Sequence, residues 1–171
     1  MFEKYSRGGY PTYDPAAHEH LLRDRLIRFG TWGDPAAAPV ALWEMLAGLA
    51  LNRTGYSHQW RKLDVNVWGR FLMASVDTPE DAREAWAAGW RTFRVRRASE
   101  AVLPNEIICP ASDEAGKRRT CAECKACSGT KGSSAARSVV IIVHGLAWKV
   151  ARFEETRARI EAGRRVALSL V

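Results

Sequence analysis

Residues 71–95 constrain the fold more than any other stretch. An alternating run at 71–77 leads into Thr78-Pro79-Glu80-Asp81. Thr78 can cap a helix, Pro79 suits its first turn, and the two acids sit at its positive end. The helix places Ala82, Ala85, Trp86 and Gly89 on one face, and Gly89 stops it before a strand at 91–95. A strand, helix and strand in so short a span imply parallel pairing.

The same alternation runs along the whole chain. Segments 26–34, 54–60, 106–109 and 137–144 read as further strands. Residues 35–50 are apolar nearly all round (Val40, Leu42, Trp43, Met45, Leu46, Leu49), the pattern of a well-buried helix. A terminal helix at 146–163 carries Leu146, Val150, Phe153 and Ile160 on one face, with Gly163 as its stop. With 171 residues and 47% hydrophobic content, the chain supports one core. The expectation is a single α/β domain over 1–171, with about six mainly parallel strands and helices on one side. This is a partial barrel, and an open parallel sheet is the alternative.

Strand parity predicts which groups leave the helix side. Ile27 and Phe29 oppose Arg28, Gly30, Trp32 and Asp34; Leu72, Ala74 and Val76 oppose Met73, Ser75 and Asp77; Phe93 and Val95 oppose Thr92, Arg94 and Arg96. If apolar groups meet the helices, the polar groups share the other face. Asp34, His58, Asp77, Arg94 or Arg96, Cys109 and His144 also fall at or just past C-terminal strand ends, where parallel sheets build their sites. In a catalytic reading Asp34, His58 and Asp77 move protons, while Arg94, Arg96 and His144 hold an anionic group or cofactor. Asp34 and Asp77 have helix capping as their plain alternative. Trp43, Trp86 and Trp148 are expected against the sheet, and Trp32, Trp60 and Trp90 near strand boundaries.

Cys109 is followed, after eleven intervening residues, by Cys121-Ala122-Glu123-Cys124-Lys125-Ala126-Cys127. The start has no signal-peptide core and no apolar run is long enough to span a bilayer, so the chain is expected in the cytoplasm. There, clustered thiols read as metal ligands before disulfides. Four thiolates suit a zinc ion or a [4Fe-4S] cluster, and a C-x2-C-x2-C run favours the cluster. The cysteine-rich loop, 109–133, lies before the last strand, and Gly132-Ser133-Ser134 give it room. A net charge of +7 favours nucleic acid or another anionic partner.

The blocks Gly30-Thr31-Trp32-Gly33-Asp34-Pro35-Ala36, Thr54-Gly55-Tyr56-Ser57-His58-Gln59-Trp60, Met73-Ala74-Ser75-Val76-Asp77, Gly89-Trp90-Arg91-Thr92-Phe93-Arg94-Val95 and Cys109-Pro110-Ala111-Ser112 resemble an uncharacterised family of phage and plasmid proteins. The resemblance implies a mobile-element protein with a cysteine-bound centre and a partial barrel similar to that of radical S-adenosylmethionine enzymes. Two features depart from it. The family's N-terminal cysteine-bearing segment, which precedes the stretch seen here as Arg7-Gly8-Gly9-Tyr10-Pro11, is missing. So is the C-x3-C-x2-C motif of radical S-adenosylmethionine enzymes. The expectations are a metal-centred enzyme or truncated remnant or, alternatively, a nucleic-acid-binding or protein-binding accessory factor with a structural metal.

Overall fold

The computed structural model describes residues 2–31, 33–131 and 137–169. Short helices α1 (Phe2–Ser6) and α2 (Pro15–His18) precede β1 (Leu26–Phe29), α3 (Val40–Leu49), β2 (Asn52–Ser57) and α4 (Val65–Trp68). Then come β3 (Met73–Val76), α5 (Pro79–Ala87), β4 (Thr92–Arg96), β5 (Glu106–Ile108), α6 (Cys121–Cys124), β6 (Ser138–Ile142) and α7 (Ala147–Ser169). The six strands form one sheet in the order β1-β2-β3-β4-β6-β5, and every pair is parallel. The α/β class and the six predicted strands are therefore present. β1 and β5 are the sheet's two edges.

Local chemistry accounts for the helix starts. Thr78 Oγ accepts the Asp81 amide at 3.0 Å, capping α5, and Pro79 fills its first turn. Asp34 accepts the Ala36 amide at 2.9 Å and opens a short 3-10 turn at Pro35–Ala37. The predicted helix 35–50 is thus split at Pro39, which cannot donate a backbone hydrogen bond. α3 is also less buried than its composition suggests: none of its residues is fully buried, and Leu42 is 36% exposed. It touches the sheet through Val40, Trp43, Leu46 and Ala47.

The main core lies where α3 and α5 cover the sheet, around Phe29, Leu72, Ala74 and Val76, with Trp60 and Trp90 buried among them. Gly55 lets β2 and β3 close there: an added Cβ would stand 2.7 Å from Leu72 Cδ2. Trp86 lies on the same side and donates to Ser138 Oγ at 2.8 Å. Trp148 and Ile160 are exposed instead of packed, and Leu146 precedes α7 and is exposed too. Among the described side chains of α7, the buried one is Arg157, which reaches Glu100 at 2.5 Å. α7 therefore docks through charge, and it runs past Gly163, a tolerable interior glycine at about 1 kcal/mol.

Candidate metal centre

The four cysteines enter from three short pieces of chain. Cys109 follows β5, held by its amide to Val140 O at 2.8 Å. Thr120 and Glu123 form a reciprocal cap that starts the single turn α6 at Cys121. Lys125 adopts a left-handed conformation (φ 53°) and turns the chain, so that Cys127 comes back toward the sheet. All four thiols are free, and all four line one cavity of about 640 Å³ on the sheet face opposite α3 and α5. Ala126 packs on fully buried Met73 and Val139, anchoring the loop over that face.

Beneath the loop sits Arg91, to which the sequence reading gives no role of its own. Arg91 is 8% exposed, and its guanidinium donates to Ala126 O at 2.8 Å, Gly129 O at 2.9 Å and Arg137 O at 2.7 Å. Three carbonyls of the loop and its exit are thereby gathered on one planar donor. The Thr130 amide adds a bond to Leu72 O at 2.9 Å, and Lys131 one to Gly69 O at 2.8 Å. Gly129 (φ 91°) is required here, since a Cβ would meet Gly69 O and Arg70 O at 2.9 Å.

Burial pushes the Cys127 thiol up to about 11, with the charges of Cys109 and Cys124 adding to the rise. The Tyr56 hydroxyl, donating to that sulfur, and nearby Arg91 oppose it. Burial is also the main cause raising Tyr56, followed by Cys127. Cys109 is raised by burial and by Cys121 and Cys124, while the Ala111 and Ser112 amides pull it down. Folded and unfolded chains both carry the neutral thiol at neutral pH, so stability falls only as pH rises from the ordinary thiol range toward about 11, where the unfolded chain has ionised first. In metal-free protein, Cys127 alkylation by iodoacetamide should accelerate up to about pH 11. Peptide mass spectrometry checks this, and a rate already level below pH 9 would contradict it.

Comparison with known proteins gives no family. No protein-family model, curated protein or solved structure matches the chain.

The predicted common mouth divides into three places. His144 joins the cysteines at the cavity. Asp34, His58 and Asp77 are not among the residues lining it. Asp34 caps the Pro35 turn and also accepts from Ser57 Oγ at 2.7 Å and the His58 amide at 2.8 Å, so it ties β1 to β2. His58 is exposed, with Nε2 3.1 Å from Ser75 Oγ. Asp77 is half-buried beside Thr78, which does the capping.

Arg94 and Arg96 are a correction. Both are buried away from the cavity, and the parity of β4 is the reverse of that expected: Phe93 and Val95 line the cavity. Arg94 forks onto Glu106 at 2.7 Å through two nitrogens and reaches Glu100 at 3.0 Å. Arg96 pairs with Glu114. Neither guanidinium is available to a ligand at the cavity. Trp32 and Gly132-Ser133-Ser134 lie outside the described residues.

Among the described residues no three His, Cys, Asp or Glu side chains stand close enough together to hold a metal ion. The donor set nevertheless suits one: four free thiols, no disulfide, and a single loop that brings them to one cavity. Bringing the sulfurs together requires them to move from their present positions. No helix among the described residues is long and apolar enough to cross a membrane.

Proposed function

We propose that the chain is a mobile-element metalloprotein of a reducing, cytoplasmic compartment, with Cys109, Cys121, Cys124 and Cys127 holding one [4Fe-4S] cluster or, alternatively, zinc. The observation that carries this is the convergence of four free thiols on one cavity, under a loop clamped by Arg91. A cluster ligated by all four thiolates would supply electron transfer, whereas zinc in a closed four-thiolate site would supply folding energy. The chain's own residues set the surroundings: Tyr56 donates a hydrogen bond to Cys127, and Arg91 offsets thiolate charge from below. His144 stands exposed at the rim.

Anaerobic expression followed by metal, sulfide and absorption measurements tests this, with Cys121→Ala/Cys124→Ala as control. About four irons with matching sulfide, absent from the variant, fit the cluster. One colourless zinc fits the structural site. No metal in either protein sinks the proposal.

Nucleic-acid binding is the second reading. Arg118 and Lys125 project from the cysteine loop with no carboxylate partner among the described residues, and the net charge is +7. Binding of this kind weakens steeply as salt rises; affinity for a duplex or single strand that ignores salt would exclude it.

A further inference from the structure

We propose that the cavity under the cysteine loop binds a small organic molecule with a flat apolar body and a single anionic group. Its volume of about 640 Å³ lies within the roughly 300–1,000 Å³ usual for small-molecule sites. The floor is aromatic: the Tyr56 and Phe93 rings, on β2 and β4, lie 4.4 Å apart at their centroids with a 37° tilt. Val95, Ile141 and Val143 continue that wall. A flat apolar body on these side chains would exclude water from both surfaces.

The charge of the ligand follows from what lines the space. No Asp or Glu contributes to the cavity among the described residues, whereas Arg28, Lys125 and His144 do. The Arg28 guanidinium hangs 5.8 Å from the Tyr56 ring centroid, and no hydrogen bond or ion pair holds it among the described residues. Arg53 also borders the cavity, but its guanidinium is spent on Arg70 O at 2.5 Å and lies over Phe71. One uncommitted guanidinium beside an apolar floor, with the Lys125 ammonium as the other unpaired cation of the lining among the described residues, matches one carboxylate or phosphate, not the long cation track that a polyphosphate or nucleic-acid backbone needs. The anion would take the place of water on Arg28 while the body covers Tyr56 and Phe93.

This inference rests on Arg28, Tyr56, Phe93 and the aliphatic strand residues, none of them a thiol, so the calorimetry and the metal measurements test different groups. The metal measurements above can therefore fail without it, and it can fail without them.

Titration calorimetry of the full chain tests it with three probes that share one body: 2-naphthoate, 2-naphthyl phosphate and 2-naphthylmethylamine. At least one anion should bind ten-fold or more tighter than the amine. Whichever anion wins identifies the headgroup. Arg28→Met, at an exposed position, should bring the preferred anion to within about two-fold of the amine, and its melting curve checks that it remains folded. Ile141→Phe, which fills the cavity, should lower binding of all three. An amine that binds as tightly as both anions overturns the proposal, as does anion preference that survives Arg28→Met in a folded protein, or no binding by any probe.

Discussion

Glu106→Ala should destabilise the protein by about 3–5 kcal/mol, because it leaves the Arg94 guanidinium charged and short of its main partner in a dry interior. Arg94 and Glu106 are both 0% exposed at the side chain, and two short bonds join them. The carboxylate also accepts the Leu103 amide at 2.9 Å, which fixes the turn into β5. Glu100 links the pair to Arg157 on α7, so the same change should loosen the terminal helix. Urea unfolding measures the loss. The double variant Arg94→Met/Glu106→Leu should recover most of it, since two packed apolar side chains need no desolvation of charge. A single-variant loss below about 1 kcal/mol would mean that water reaches the pair.

Arg91→Met should release the cysteine loop while the sheet persists. The side chain bonds to three carbonyls within 2.9 Å, and a hydrogen bond to a charged group contributes about 1.5–3 kcal/mol. Even one such contribution lost is large for a loop joined to the sheet mainly through Ala126, Thr130 and Lys131. Hydrogen exchange should show the Thr130 and Lys131 amides losing roughly a hundred-fold protection, given about 1.4 kcal/mol for each factor of ten. Amides of β3 and β4 should change far less. Arg91→Lys should not rescue the loop, because an ammonium on a flexible stem does not reproduce the planar fork. Equal protection in Arg91→Met and the native chain would remove Arg91 from the account.

The different standing of these two arginines shows where sequence reasoning stops. Arg94 is conspicuous in sequence, polar and placed near a strand end, and the structure spends it on Glu106. Arg91 looks like one more basic residue at a strand start, yet it holds the loop that carries three of the four cysteines. A signal did exist for Arg94, since Glu100 and Glu106 follow it closely and can neutralise it. Arg91 offers no such signal, because its partners are backbone carbonyls 35, 38 and 46 residues away.

The sequence by itself determined the class of fold and the places where the chain turns. Strand–helix–strand spacing demands parallel pairing, Thr78-Pro79 starts a helix wherever it is placed, and the bunching of Cys121, Cys124 and Cys127 is local. Tertiary structure alone decided which side of the sheet each parity faces, that β6 enters between β4 and β5, and that Cys109 meets the other thiols at a cavity floored by Tyr56 and Phe93. The physical reason lies in range. Capping and periodicity act over a few residues, and alternation with period two separates two faces without saying which is inner. For β4 that choice was made by ion pairs and aromatic contacts with Glu106, Glu114 and Tyr56, all outside the strand itself.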